Sequence, residues 1–182
     1  MSTAVMTVLP DVEPALPDLY EMVEGQIVEK TVSALSTEVI GAIDQLLGGF
    51  VRANRLGKVV PEMLFRISAV SDLQRRPDVA FVSTVKWAWN KPAPDSAAWD
   101  MVPDLAVEVT SPTNKMDAVM EKMDEYFDAG VGKIWLVLPV KRRIFIFESV
   151  TKVSVLTQSD ILEDPMLFPG LSLPLASIFG EP

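Results

Sequence analysis

One ten-residue segment decides the fold of this chain: Pro103-Asp104-Leu105-Ala106-Val107-Glu108-Val109-Thr110-Ser111-Pro112. Its apolar and polar residues alternate, which is typical of a β-strand with two different faces. Leu105, Val107 and Val109 share one face, and Glu108 lies on the other. Because a lone carboxylate on such a strand is costly to bury, Glu108 indicates a charged partner or a function.

A second acidic segment precedes the first by thirty residues: Arg76-Pro77-Asp78-Val79-Ala80-Phe81-Val82. It also places a carboxylate, Asp78, at the start of a short apolar strand. Carboxylates that converge at one edge of a sheet repel each other, and a hard divalent cation relieves that repulsion. The alternative is that Asp78 and Glu108 are solvated strand ends, capping residues or members of ordinary ion pairs.

The composition narrows the chemistry that the chain can perform. Its 182 residues include no Cys and no His. Disulfides, thiolate zinc sites, Cys or His catalytic triads and imidazole metal sites are therefore excluded. Oxygen ligands alone favour magnesium, manganese or calcium over zinc or copper. Acid–base chemistry has to use carboxylates, Lys, Tyr or metal-bound water.

Charge and hydropathy bound the architecture and the location. The net charge is −9, which counts against tight non-specific binding of nucleic acid but leaves room for a local basic patch. Hydrophobic residues make up 49% of the chain, as in a well-packed globular protein. We expect an irregular arm at residues 1–18 and a single domain at 19–182. With no signal-peptide pattern and no apolar run as long as a membrane span, the expected location is cytoplasmic, without membrane contact.

The periodicity predicts a mixed α/β fold with a central mixed sheet flanked by helices. One helix is predicted from Ser33 to near Arg55, and a second follows Ser111 and closes at Gly130, with its methionines in the core. A helical turn and a Gly turn are expected around 19–25. The other predicted elements are strands, at 26–28, 59–67, 78–83, 104–110, 134–138, 144–147 and 153–156.

Several motifs together carry a resemblance to a known family. They are the two acidic segments, Glu24-Gly25, Glu121-Lys122, Tyr126, Ala129-Gly130-Val131, Ile134-Trp135-Leu136-Val137 and the tail from Phe168 to Leu175. In this order and spacing the chain resembles the Uma-two family, restriction-endonuclease-like proteins of the PD-(D/E)XK nuclease superfamily. The resemblance implies a restriction-endonuclease-like core.

The resemblance also implies a set of site residues. Asp78 matches the metal-binding Asp of the superfamily, and Glu108 matches the second acid. Glu24 matches an extra acid that some members use. The usual Lys, two residues after the second acid, is Thr110 here, and Lys122 in the following helix fits a migrated Lys, although an exposed Lys paired along its own helix is the alternative.

A polar loop contains aromatic residues interleaved with cations, as a surface that binds nucleic acid does. Its residues are Lys86, Trp87, Trp89 and Lys91. The alternative is that the tryptophans pin a long loop or form an oligomer contact. Arg75 and Arg76 face either a phosphate or the nearby acids.

These expectations combine into one leading interpretation and one rival. The leading interpretation is a divalent-metal-dependent endonuclease that uses Mg²⁺ or Mn²⁺ to hydrolyse nucleic acid, with DNA as the expected substrate and a homodimer as the expected assembly. Its catalytic residues are Asp78, Glu108 and Lys122, and its metal ligands are Glu24, Asp78 and Glu108. The rival is a non-catalytic interaction or dimerisation module that retains the nuclease fold.

Overall fold

A computed structural model describes residues 19–30, 32–68, 71–111 and 115–180. The expected arm at 1–18 lies outside these residues. The strands are β1 Tyr20–Val23, β2 Gln26–Glu29, β3 Gly57–Pro61, β4 Phe65–Arg66, β5 Gln74–Arg75, β6 Val79–Ser83, β7 Leu105–Val109, β8 Lys133–Leu138, β9 Arg143–Ser149, β10 Lys152–Thr157, β11 Ile161–Asp164 and β12 Phe168–Pro174. The helices are α1 Ala34–Ala53, α2 Met116–Asp128 and α3 Ala176–Phe179.

A six-stranded sheet forms the centre of the fold, in the order β10-β9-β8-β7-β6-β3. Its β7–β8 pair is parallel, and the other pairs are antiparallel. α2 makes the crossover that a parallel pair requires. A smaller sheet has the order β2-β1-β5-β4, and β11 pairs with β12.

Helix α1 covers one face of the central sheet. Ser33 caps its N-terminus, where the Ser36 backbone N–H donates to Ser33 Oγ at 3.2 Å. Its buried residues pack against the sheet, β12 and α3. By length and composition α1 is also apolar enough to cross a membrane, which the sequence analysis did not expect. A core helix with one apolar face packed on a sheet meets the same criterion.

Helix α2 covers part of the opposite face. Met123 and Tyr126 are buried there against the side chains of alternate strand residues. The prediction that all three methionines of this helix pack in the core was wrong for Met116 and Met120. These two are 51% and 37% exposed, because they lie on the outer side of the helix.

The first elements of the chain also differ from the prediction. Residues 20–29 form a β-hairpin instead of a helical turn followed by a strand. Its two-residue turn, Glu24-Gly25, has positive φ at both positions, +50° and +74°. That combination is typical of the type I′ turn, whose twist matches that of two antiparallel strands. The hairpin belongs to the small sheet and lies beside the ends of β6 and β7.

Candidate active site at the ends of β6 and β7

The antiparallel register of β6 and β7 brings the two predicted acids together. Val79 pairs with Val107, so Asp78, just before β6, lies at the end of β7 that carries Glu108. Asp78 Oδ2 accepts a hydrogen bond from the backbone N–H of Val109 at 2.5 Å. Both carboxylates are buried, with 2% and 9% exposure. The expected convergence at one sheet edge therefore occurs.

Helix α2 supplies two donors to Glu108. Lys122 Nζ lies 2.9 Å from Glu108 Oε2, and the Tyr126 hydroxyl donates to Oε1 at 2.8 Å. Residues four apart lie on the same side of a helix, so one turn of α2 binds both oxygens. The alternative pairing of Lys122 along its own helix is not what the structure contains.

The β1–β2 hairpin brings an acid that the sequence reading did not select. Glu21 on β1 is buried, and its Oε1 lies 2.7 Å from Lys122 Nζ. Its Oε2 lies 2.9 Å from Arg75 Nη1. Lys122 is therefore held between Glu21 and Glu108, which come from different sheets.

Lys30, which follows β2, is a second lysine in the site. Its Nζ lies 2.7 Å from Asp78 Oδ1 and 2.9 Å from Glu62 Oε2, and it donates to the Arg76 carbonyl at 2.9 Å. Its side chain is only 13% exposed. Nothing in the local sequence marked Lys30, because its role depends on how the hairpin packs.

Glu24 does not join this cluster. It is exposed at the tip of the β1–β2 hairpin. Glu21, three residues earlier on the strand, is the acid of this hairpin that contacts Lys122. The turn type explains the difference. In an I′ hairpin an acid beside the Gly is at the tip, and an acid on the paired strand can be buried.

The pKa shifts follow from burial and from the neighbouring charges. Burial raises the pKa of Glu108, and the charge of Asp78 adds to this against the opposing effect of Lys122. Burial acts in the same direction on Glu21, but Lys122 and Arg75 outweigh it and lower its pKa. Burial disfavours the charged form of Lys122, yet Glu108 and Glu21 raise its pKa. Lys122 is therefore a cation at neutral pH.

The acids and lysines line an open cavity of about 360 Å³. Thr110 and Ser111 from the end of β7, and Ser36 from α1, line it as well. The three predicted catalytic residues, Asp78, Glu108 and Lys122, thus line the same cavity.

The carboxylates fit a hard divalent cation in type. Asp78 and Glu108 are adjacent, buried oxygen donors facing a cavity, and each carboxylate oxygen has a further lone pair beyond the hydrogen bond that it accepts. No group of three acids within the described ranges is arranged to hold a metal. A cation that bound both carboxylates would lie close to the Lys30 ammonium, which is 2.7 Å from Asp78 Oδ1.

Arg75 and Arg76 bind groups of the protein itself. Arg75 forms ion pairs with Glu21 and Glu125. Arg76 donates to the carbonyls of Tyr20 and Glu62. The sequence left open whether the two arginines face a phosphate or the nearby acids. In the structure Arg75 binds acids and Arg76 binds backbone carbonyls, so these contacts match the second alternative.

The tryptophan loop is pinned by its own contacts. Trp87 donates its indole N–H to the Pro92 carbonyl at 3.1 Å and packs edge-on against buried Trp99, with ring centroids 5.0 Å apart. Lys91 Nζ lies 3.6 Å from the Trp87 ring centroid. Trp89 is half-buried. These contacts match the loop-pinning alternative.

The same loop lies at the wrong end of the sheet to touch a substrate in the cavity. It leaves β6 at Ser83, whereas Asp78 is at the other end of that strand. Lys86 pairs there with Asp104 Oδ1 at 3.1 Å, and Asp104 Oδ2 accepts from the Ser83 N–H. Asp104 is therefore a strand-start residue, separate from the acid cluster.

Comparison with known proteins agrees with this geometry. The sequence profile of the Uma2 family, described as "Putative restriction endonuclease", matches residues 14–176. No curated protein matches the chain significantly. The crystal structure of a putative nuclease belonging to DUF820 from Anabaena variabilis ATCC 29413 is similar, with a TM-score of 0.73, 19% identity and coverage of 94% of this chain and 93% of that one. The expected restriction-endonuclease-like fold is confirmed.

A second solved structure is more distant. It is the cryo-EM structure of a DrdV–DNA complex, with a TM-score of 0.40 and 11% identity. The match covers 81% of this chain and 14% of that one. A similarity this low says nothing about the chemistry of the present chain.

Proposed function

Because the chain belongs to the Uma2 family of restriction-endonuclease-like proteins, we propose that it is a nuclease that hydrolyses phosphodiester bonds with the help of a divalent metal ion. The observation that carries the proposal is the arrangement of Asp78, Glu108 and Lys122. Two buried carboxylates and a buried ammonium from three separate elements meet at one open cavity. Burying three ionisable groups costs free energy even when they are paired, and such clusters in a cleft are typical of functional sites.

In this proposal Asp78 and Glu108 hold Mg²⁺ or Mn²⁺. A bound ion of this kind lowers the pKa of water and polarises the phosphodiester. Lys122 stays protonated, because its pKa is raised by Glu108 and Glu21 against the effect of burial. It therefore stabilises negative charge on the phosphoryl oxygens and does not act as a base. Glu21 and Tyr126 orient Lys122 and Glu108 from either side.

The role of Glu24 as a metal ligand is not part of this proposal, since Glu24 is exposed at the hairpin tip. Glu21 is the third acid of the cluster, and its contacts with Lys122 and Arg75 give it a positioning role. DNA is the substrate to test first, and the homodimer expected for the superfamily stays a prediction.

A second candidate is a non-catalytic module with the nuclease fold. One observation favours it: every carboxylate oxygen of Asp78 and Glu108 accepts a hydrogen bond or an ion pair from the protein itself. The acids are then structural, and the cavity has no need of a metal. The two candidates differ in what happens when a divalent ion is supplied.

Calorimetric titration of Mn²⁺ into the wild type separates them. We expect binding in the micromolar-to-millimolar range that is lost in the Asp78→Asn, Glu108→Gln double variant. Asp104→Asn is the matched control, since Asp104 lies at the start of the same β7 segment but at the other sheet end, and it should bind as the wild type does. Circular dichroism checks that each variant is folded.

A cleavage assay on plasmid DNA, oligonucleotides and a small phosphodiester then follows with the same variants. Wild-type affinity in the folded double variant would refute the assignment of the metal to these carboxylates. Absence of Mn²⁺ binding together with absence of hydrolysis in the wild type would favour the non-catalytic module.

A further inference from the structure

Three consecutive cations lie at the same edge of the central sheet as the acid cluster. Lys141 ends the short 3-10 turn that follows β8, and Arg142 and Arg143 lead into β9. β7 and β8 are parallel, so the turn after β8 is at the Glu108 end of the sheet. We call these three residues the basic corner.

The register of β9 and β10 completes the basic corner. Arg143 pairs with Leu138 on one side and with Thr157 on the other. The turn after Thr157 therefore lies against the cations, and Arg142 donates to Gln158 Oε1 at 3.0 Å. Arg142 has a φ of +49°, in the left-handed region, and lies between the 3-10 turn and β9.

The basic corner differs from the other cationic sites near the catalytic cavity. Lys30, Arg75 and Lys122 are all compensated by carboxylates. Within the part of the chain that the structure describes, none of the three corner cations forms an ion pair, and Lys141 and Arg143 are exposed. In a chain of net charge −9 such a group attracts anions locally.

Shared lining residues place the basic corner next to the catalytic cavity. Thr110 and Ser111 line the catalytic cavity and also an adjoining one of about 190 Å³ over Leu138 to Lys141. Lys141 in turn lines a third cavity, of about 460 Å³, which contains the rest of the corner and the hydroxyl-bearing turn 157–159. Strand spacing puts the β9 end about 10 Å from the β7 end.

We propose that the basic corner binds the phosphate backbone of the nucleic acid beyond the scissile bond. The proposal rests on the proposed nuclease function, and it assigns the substrate a direction along the sheet edge, from the ends of β6 and β7 towards β10. Lys141 and Arg143 are exposed and have no ion-pair partner among the described residues, which suits a polyanion, because binding releases counterions at little desolvation cost. The nearest carboxylate of the turn, Asp160, accepts hydrogen bonds from Thr157.

The cations of the tryptophan loop are not expected to bind the phosphate backbone. Lys86 and Lys91 of the tryptophan loop lie at the opposite end of the sheet and contact Asp104 and the Trp87 ring. They provide a matched control, since the same two charges can be removed there. The chain thus offers two pairs of cations with opposite expectations.

The test compares Lys141→Gln, Arg143→Gln with Lys86→Gln, Lys91→Gln. Binding of a fluorescent 20-base-pair duplex, a single-stranded DNA and an RNA is measured without metal across a series of salt concentrations. For the duplex we expect the slope of log K against log salt to fall by about 1.8 in the corner variant, roughly 0.9 per cation. The control variant should keep the wild-type slope, and the three probes show which backbone is preferred.

A second readout uses Mn²⁺-dependent hydrolysis of bis(4-nitrophenyl) phosphate, which has a single phosphate and therefore no second phosphate for the corner to bind. We expect the corner variant to hydrolyse it as the wild type does. If the corner variant keeps the wild-type salt slope while the wild type hydrolyses the small ester, the proposed role of the basic corner is refuted. The proposed nuclease function is then unaffected. If nucleic-acid binding depends on salt and on the corner cations but the wild type does not hydrolyse the small ester, the proposed nuclease function is refuted instead. A wild type that binds none of the three probes overturns the basic corner.

Discussion

Replacement of Lys122 by Met is the sharpest test of how the acid cluster is held together. The ammonium lies 2.7 Å from Glu21 and 2.9 Å from Glu108, and its side chain is 14% exposed. Met keeps most of the volume but leaves two buried carboxylates without their shared cation. Breaking a buried ion pair by removing one partner costs about 3–5 kcal/mol, a large part of the stability of a typical domain.

Urea unfolding at pH 7.5 measures this loss, and thermal unfolding should show a decrease in Tm of about 6–20 °C. Lys152→Met is the control, because Lys152 is 75% exposed and its pairing with Glu148 lies in solvent. We expect no measurable change there. The double variant Lys122→Met, Glu108→Gln should recover about 1–3 kcal/mol of the loss, since the uncompensated Glu108 charge is removed as well.

The loss of stability caused by Lys122→Met should depend on pH in a definite direction. Burial raises the pKa of Glu108, and the Met substitution removes the larger of the two positive charges that oppose this shift, leaving only Lys30. The folded variant then binds a proton more readily than the unfolded chain, so its stability rises as the pH falls towards 5. A loss below about 1 kcal/mol at pH 7.5, or one that is independent of pH, would refute the buried-cluster interpretation.

Three further predictions concern single positions. Gly57→Ala should lower the free energy of unfolding by about 1–3 kcal/mol or more in urea, because a Cβ at Gly57 would lie 2.1 Å from the Val82 carbonyl oxygen; wild-type stability would refute the close strand contact. Tyr126→Phe should reduce the loss of stability that the wild type shows above pH 10. Burial and Glu108 raise the phenol pKa in the folded protein, so the wild type loses stability as the pH rises through that folded value. Identical alkaline unfolding curves for the two proteins would contradict this. Lys30→Met should tighten Mn²⁺ binding in calorimetry, since it removes the ammonium that competes for Asp78, and weaker binding would mean that Lys30 supports the metal.

Much of the central fold could be predicted from the sequence because its signals are local. The helical spacing after Ser33, the alternation from Leu105 to Val109 and the glycine after α2 each act within a few residues. The pairing of β7 with β8 could not be read in this way, because strand neighbours depend on packing between distant segments. The first hairpin had a usable signal, since a two-residue X-Gly loop between short apolar runs is typical of a tight hairpin.

The candidate site was predictable to a smaller extent. Asp78, Glu108 and Lys122 were identified, the last by resemblance, and the structure brings these three side chains into one cluster. Glu21 and Lys30 were missed because the first hairpin was predicted as a helical turn and one strand. Glu21 lies on β1 of this hairpin, and Lys30 follows β2. The roles of the tryptophan loop and of the arginines depend on the end of the sheet that each reaches, which no local pattern encodes.

The hairpin described above also determines how easily the site opens. β2 is exposed along its length, and β1 meets β5 through a single residue pair, Met22 with Gln74. The hairpin is therefore attached to the rest of the fold mainly by the ion pairs and hydrogen bonds of Tyr20, Glu21 and Lys30, and its amide hydrogens exchange through a local opening that breaks these contacts. Such an opening removes Glu21 and Lys30 in one movement and uncovers Asp78 Oδ1. The affinity of the site for a cation is therefore thermodynamically linked to the local unfolding equilibrium of residues 20–30.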